Sequence, residues 1–65
     1  MLRMELGRTY RFTLQSQKTV DIVIHGSKQG AHGMTEFDIT VNGVGGIYTD
    51  VNAALGDAYI KVERI

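Results

Sequence analysis

Apolar and polar residues alternate along five stretches of the chain. The alternating sets are Tyr10, Phe12 and Leu14, then Val20, Ile22 and Ile24, then Phe37, Ile39 and Val41, then Ile47 and Thr49, and last Ile60 and Val62. A period of two with β-branched and aromatic residues is typical of half-buried antiparallel strands. We therefore predict five short strands whose alternating sets face one core.

The shared inward face also predicts how neighbouring strands connect. In the first hairpin it pairs Leu14 with Val20 and leaves residues 16–18 as the loop, which lacks the glycine that such loops commonly use. In the second hairpin it pairs Val41 with Ile47. The loop is then 43–45, where glycine makes a positive φ inexpensive.

A helical turn is predicted between strands four and five, in the stretch DVNAALGD. Asp50 suits the N-cap because its carboxylate accepts hydrogen bonds from backbone N–H groups. Gly56 suits a left-handed position after the last turn. We expect Ala54 or Leu55 to plug an open end of the sheet.

Five strands with a helical turn before the last predict an all-β fold, a small five-stranded antiparallel barrel that forms one domain over residues 1–65. Closure would remove the exposed edges of a flat sheet. This pattern, with the tail GDAYIKVERI, resembles SH3-like small barrels, and the opening YRFTLQSQKTVDIVIHG is similar to the first hairpin of Sm-like RNA-binding barrels. The aromatic groove of peptide-binding SH3 domains and the nucleotide loop of Sm-like proteins have no counterpart here, so no functional residue is transferred.

Composition limits the range of functions that the chain can have. The 65 residues include seven basic and seven acidic residues and no cysteine, which excludes disulfides and thiolate metal sites. Balanced charge argues against a strongly nucleic-acid-binding domain, although Lys18 and Lys28 lie near predicted loop tips. Arg3, Glu5 and Arg8 interrupt the N-terminal apolar residues, so we expect no membrane span and a soluble cytoplasmic protein.

The stretch HGSKQGAHGM, residues 25–34, is predicted to be a mobile hairpin loop. His25 and His32, even with Asp21 on the face of His25, are too few for a closed zinc site. The loop also lacks the GK[ST] ending and following helix of a phosphate loop. Ser27 beside His25 is weak evidence for a nucleophile and its base. We predict no metal, no cofactor, no catalytic residue and no enzyme activity.

The remaining candidates are binding residues. Val23, Tyr48 and Tyr59 add apolar area to an outward face of mixed charge, and with Lys28 and His32 they are the predicted binding residues. Leu2, Met4 and Leu6 form a further alternating set, either a sixth strand or an arm on a neighbour.

The predicted function is a non-enzymatic binding module that acts through protein–protein contacts or self-assembly. A core this thin gains from a second subunit, so we expect a homo-oligomer, most simply a dimer. The alternative is an Sm-like barrel that binds RNA or single-stranded nucleic acid.

Overall fold

The computed structural model describes residues 4–65. Its elements are β1 (Thr9–Leu14), β2 (Thr19–Gln29), a 3₁₀ turn (Ala31–Gly33), β3 (Thr35–Val41), β4 (Val44–Tyr48), α1 (Val51–Leu55) and β5 (Tyr59–Arg64). The strands form one antiparallel sheet in the order β4-β3-β2-β1-β5. The predicted all-β class, the five antiparallel strands and the helical turn before the last strand are confirmed.

The predicted closure into a barrel is wrong. β4 and β5 lie at opposite ends of the strand order and do not pair with each other. The connection between them contains α1, whose Leu55 is buried in the hydrophobic core. The helix therefore covers core surface that closure would otherwise have covered, and within residues 4–65 the sheet keeps two open edges.

The caps of α1 are as predicted. The Asp50 carboxylate accepts a hydrogen bond from the backbone N–H of Ala53 at 2.7 Å. Gly56 follows the last turn with φ of 73° and its N–H donates to the carbonyl of Asn52. These two residues fix both ends of a helix that is only five residues long, and they hold Leu55 over the core.

The core lies on one face of the sheet. Its buried members come from three strands and the helix: Tyr10, Phe12, Leu14, Val20, Ile22, Ile39 and Leu55. All were predicted to face inward or to plug the sheet. Each fully buried side chain of this kind contributes on the order of 1.5–3 kcal/mol, so seven such residues make a thin core.

The first hairpin has the predicted faces but not the predicted register. Phe12 pairs with Val20 and Thr13 with Thr19, whereas we predicted Leu14 opposite Val20. The Gln17 N–H donates to the carbonyl of Leu14 at 3.0 Å, and Gln17 has φ of 73°. The loop is thus residues 15–17, and a glutamine occupies the left-handed position that usually takes glycine.

The second hairpin turns in two residues instead of three. Val41 pairs with Val44, and the intervening Asn42 and Gly43 have φ of 49° and 87°. Positive φ at both positions is the type I′ turn that Asn-Gly favours. The predicted 43–45 loop is wrong because the preference of Asn-Gly for this two-residue turn sets the register, which strand parity alone does not determine.

The partner of Val41 moves by three residues, from the predicted Ile47 to Val44, and this odd shift exchanges the two faces of β4. Tyr48 lies opposite Phe37 and packs against the core, whereas Ile47 lies opposite Asp38 and is 50% exposed. The predictions that Ile47 faces inward and Tyr48 outward are both wrong.

A register irregularity in β5 and another in β2 change the predicted inward and outward positions. Each inserts a residue into one strand and reverses the alternation there. In β5 the register shifts between the partners of Thr13 and Leu14, which leaves Ile60 as the extra residue, 58% exposed rather than inward. In β2 the shift falls between Ile24 and Gly26, which makes His25 the extra residue.

The predicted 25–34 loop is largely a strand. β2 runs to Gln29, and its last four residues pair with β3 from Asp38 to Thr35. Only residues 30–34 turn, closed by a hydrogen bond from the Gly30 N–H to the Met34 carbonyl at 2.6 Å. The result is an extended two-stranded ribbon.

The N-terminal alternating set does not form a strand in its described part. Met4 packs against the core and Leu6 is 65% exposed. The Gly7 N–H donates to the carbonyl of Ile24 at 2.9 Å, and the Glu5 N–H donates to the Tyr10 hydroxyl at 2.7 Å. Residues 4–8 therefore lie on their own sheet, and Leu2 is outside the described residues.

Candidate functional site

The open edges of the sheet collect most of the exposed apolar side chains. Of the large hydrophobic residues that are exposed in residues 4–65, only Leu6 and Met34 lie elsewhere. The others belong to or directly follow an edge strand: Val44 and Ile47 on β4, Tyr59 and Ile60 on β5, and Ile65. An edge strand with unpaired backbone groups and apolar side chains is a template for strand pairing.

The two edges are protected to different degrees. β4 has the sequence VGGIY, with no charged residue and no proline. β5 carries Lys61, Glu63 and Arg64 and has the irregularity at Ile60. Charges and bulges are common means of discouraging edge pairing, so β4 is the less protected edge.

Charge is distributed unevenly along the chain. Residues 29–60 contain four acidic residues and no lysine or arginine, whereas residues 1–28 contain five lysines and arginines and two acidic residues. The acidic stretch forms β3, β4 and α1 at one side of the sheet, and β1 and β5 lie at the other. The neutral total hides this polarity, which is visible in the order of charged residues along the sequence and was not predicted.

Ion pairs neutralise charge on the β1–β5 side of the sheet but not on the acidic side. Arg8 and Arg64 approach Glu5 at 3.6 and 4.0 Å, and Lys61 approaches Glu63 at 3.5 Å. Within residues 4–65, no basic side chain lies within 4.0 Å of the other acidic groups, Glu36, Asp38, Asp50 and Asp57. The acidic side of the sheet thus carries uncompensated charge, which attracts a basic surface.

Arg11 and Asp21 form the shortest ion pair, with Arg11 Nε 2.9 Å from Asp21 Oδ1. The hydrogen bond from Arg11 lowers the pKa of the Asp21 carboxyl. The backbone N–H of Asp21 donates to the Asn42 side chain at 2.9 Å. These contacts tie β1 to β2 and β2 to the Asn42 turn, so their role is structural.

A polar groove lies on the outward face at the base of the ribbon. Its volume is about 240 Å³, and it is lined by His25, Gly26, Ser27, Lys28, Asp38 and Ile47. The His25 Nε2 atom is 2.6 Å from the Thr40 hydroxyl. This hydrogen bond joins His25 to Thr40 and not to Ser27, so the structure gives no support to Ser27 and His25 as nucleophile and base.

A second cleft lies where α1 leads into β5. Its volume is about 410 Å³, and it is lined by Asn52, Asp57, Ala58 and Tyr59. The Tyr59 ring meets the Phe12 ring edge to face, with centroids 5.0 Å apart and planes at 82°. The Asp57 carboxylate accepts a hydrogen bond from the Ala58 N–H at 2.8 Å. The cleft combines an aromatic ring, a carboxylate and an amide.

The five predicted binding residues do not form one surface. Val23 lies opposite Thr9 and Thr40 in the sheet. Lys28 lines the polar groove and Tyr59 the second cleft, whereas His32 lies in the turn that ends the ribbon and Tyr48 packs against the core. Asn52 and Asp57, which share the cleft with Tyr59, were not predicted because their proximity depends on the path of the chain from α1 to β5.

The two loop lysines lie apart. Lys18 precedes the first residue of β2 and Lys28 is the last but one. About ten residue steps of roughly 3.3 Å separate them along the strand, a distance of roughly 30 Å. They therefore do not belong to one basic patch.

Metal-ligating side chains are likewise dispersed. No group of three or more His, Cys, Asp and Glu side chains that could hold a metal ion is found among residues 4–65. His25 lies at the base of the ribbon and His32 at its tip, roughly 15 Å apart along the strand. None of the helices in residues 4–65 is long and apolar enough to cross a membrane.

Comparisons with protein-family models, curated proteins and solved structures find no match to this chain. Of the resemblance to SH3-like and Sm-like barrels, the structure supports the coarser part, a small domain with a five-stranded antiparallel sheet.

Proposed function

We propose that the protein is a non-enzymatic binding module that acts through protein–protein contacts at the open edges of its sheet, first of all with further copies of itself. The observation that carries the proposal is that both edges expose apolar side chains, Val44 and Ile47 on β4 and Tyr59 and Ile60 on β5. Strand pairing across an edge supplies backbone hydrogen bonds, and alternate side chains supply specificity.

The charge distribution favours contact between unlike edges. β4 lies on the acidic side of the sheet and β5 on the side that holds Arg8, Arg11 and Arg64. The uncompensated acidic charge beside β4 disfavours contact between two β4 edges, and the less acidic β5 side is therefore the favoured partner of β4. Contact between unlike edges is heterologous, and it builds a ring or an open chain of copies rather than a two-fold dimer.

Stability supports the same proposal. For a domain of this size, apolar burial and the entropy of ordering the chain nearly cancel. Burying Val44, 70% exposed, and Ile60, 58% exposed, against another copy would add apolar burial that the isolated chain lacks. Folding would then depend on protein concentration.

The polar side chains support a role without catalysis. Asp50 caps α1, Asp21 binds Arg11, and His25 shares a hydrogen bond with Thr40. Each is engaged by the fold, and none forms the nucleophile, base and orienting group that covalent catalysis needs.

Light scattering behind a sizing column tests the proposal. We expect the wild-type chain to elute as an oligomer at tens of micromolar, and Val44→Lys to reduce its mass, since a charged lysine on an edge strand opposes pairing. Leu6→Lys is the matched control, because Leu6 is equally exposed at 65% but lies off the edges. A monomeric wild type with a concentration-independent melting temperature would overturn self-association.

Fluorescence anisotropy with short RNA tests the alternative function, binding of RNA or single-stranded nucleic acid. Binding carried by Lys18, Lys28 and their neighbours should be weak and should fall steeply with salt, because it works by counterion release. Tight, sequence-selective binding at physiological salt would instead favour the nucleic-acid-binding function.

A further inference from the structure

The cleft between α1 and β5 has the chemistry of a receptor for a cation. The lining residues carry a carboxylate on Asp57, an amide on Asn52 and an aromatic ring on Tyr59, a residue that is 46% exposed. A carboxylate attracts a cation by charge, and the face of a tyrosine ring attracts it through the ring quadrupole. The cleft thus offers charge, a hydrogen-bond acceptor and a stacking surface together.

The surroundings leave that charge available. Among the described residues, no basic side chain lies within 4.0 Å of Asp57. The nearest lysine or arginine in the sequence is Lys61, which is paired with Glu63 at 3.5 Å. Asp50, at the other end of α1, adds a second acidic group that has no basic side chain within 4.0 Å among residues 4–65. The local field favours an incoming positive charge.

The lining residues are held in place by the fold. The Tyr59 ring is set by its edge-to-face contact with Phe12, and the Asp57 carboxylate by the Ala58 N–H. Asn52 lies in α1, whose two ends are capped by Asp50 and Gly56. Groups that are already ordered lose little conformational freedom when a ligand binds.

We propose that this cleft binds the guanidinium group of an arginine side chain presented by a different protein. Guanidinium is planar and stacks on an aromatic ring while its five N–H donors reach a carboxylate and an amide oxygen, which a compact ammonium group does less well. Within residues 4–65, the chain's own arginines, Arg8, Arg11 and Arg64, are ion-paired to Glu5, Asp21 and Glu5. They are therefore the less favoured source, and this site does not rest on self-association.

The test is an amide NMR titration of the full chain with Nα-acetylarginine amide. Citrulline amide is the matched control, because it has the shape of arginine without its charge. We expect saturable shifts with arginine confined to Asn52, Asp57, Ala58 and Tyr59, weaker shifts with the lysine analogue, and none with citrulline. Equal shifts with citrulline, or arginine shifts spread over all acidic residues, would overturn the proposal.

Variants locate the contacts. Asp57→Asn keeps an acceptor for the Ala58 N–H but removes the charge, and Tyr59→Leu removes the ring. Each should weaken arginine binding by about threefold to tenfold. Asp38→Asn removes an acidic charge outside the cleft and should leave the affinity unchanged. If Tyr59→Leu fails to fold, Asp57→Asn alone decides, and wild-type affinity in that variant rejects the site.

The result is separable from the edge proposal. A monomeric chain that binds arginine in the cleft rejects self-association and keeps this site. An oligomeric wild type whose monomeric Val44→Lys variant, with its β5 edge uncovered, shows no response at the cleft rejects this site and keeps self-association. Selective shifts at the cleft with uridine or adenosine, and none with arginine, would assign the cleft to nucleobases instead and overturn the proposal.

Discussion

The two sides of the sheet differ in the backbone conformation of their turns and in the charge of their edge strands. On the β3–β4 side, Asn42 and Gly43 form a turn with positive φ at both positions, and the edge strand carries no charge. On the β1–β5 side, Gln17 takes the left-handed position and the edge strand carries three charged residues. The first side has a well-specified turn and an unprotected edge, and the second has a strained turn and a protected edge. The strained turn and the protected edge thus occur on the same side of the sheet, and the unprotected edge lies on the side where the charge is uncompensated.

The largest expected effect concerns Gly46 in β4. A Cβ atom at Gly46 would lie 2.9 Å from the Tyr48 ring, which covers this glycine. Gly46→Val should force Tyr48 away from the core and lower the free energy of unfolding by about 1–3 kcal/mol. Gly45→Val is the control within the same strand, because a Cβ atom there meets nothing within 4 Å. Urea unfolding at one protein concentration should separate the two variants, and equal stability would show that the Tyr48 packing contributes little.

In the first hairpin we expect a smaller change in the free energy of unfolding, and one that stabilises the fold. Gln17 has φ of 73°, and glycine adopts that conformation without the cost of about 1–2 kcal/mol that side chains incur. Gln17→Gly should therefore raise the free energy of unfolding by about 0.5–1 kcal/mol, less than the full cost because glycine loses more entropy on folding. Gly43→Ala, at φ of 87°, should lower it. Thermal melts of both variants check the contrast, and destabilisation by Gln17→Gly would contradict it.

The smallest effect belongs to the ion pair on the outward face. Asp21→Asn should lower the free energy of unfolding by less than about 1 kcal/mol, because exposed ion pairs contribute little. The pKa of Asp21 is lowered in the folded state by its hydrogen bond with Arg11. Its contribution is therefore present above the unfolded pKa of about 3.9 and is lost as the pH falls through the folded value.

Unfolding curves measured at neutral pH and again below pH 3 test whether the stabilisation by Asp21 is lost as the pH falls. The difference between wild type and Asp21→Asn should shrink in acid. A difference that grows there would mean that Asp21 stabilises the fold in another way.

Sequence periodicity predicted the parts of the fold that depend on burial. Phe12, Ile22 and Ile39 face the core as expected, and Asp50 and Gly56 cap α1. Periodicity failed where one residue is added or removed, at the Asn42 turn and at the irregularities at His25 and Ile60, because each reverses the alternation beyond it.

The candidate sites were predictable only in part. Tyr59 lines the second cleft and Lys28 lines the polar groove, and both were predicted as binding residues from the sequence. Their neighbours across each cleft were not, because Asn52 and Asp57 approach Tyr59 only through the turn after α1, and Ile47 approaches Lys28 only through the sheet. The open edges were missed because closure is a tertiary property that strand patterns do not encode.

Mixing two edge variants tests the central claim, that unlike edges pair, most directly. Val44→Lys blocks β4 and leaves β5 intact, whereas Ile60→Lys blocks β5 and leaves β4 intact. Each variant alone should be monomeric by light scattering, and an equimolar mixture should form a one-to-one dimer, because each supplies the edge that the other lacks. A mixture that stays monomeric while the wild type assembles, or single variants that assemble as the wild type does, would contradict pairing between unlike edges.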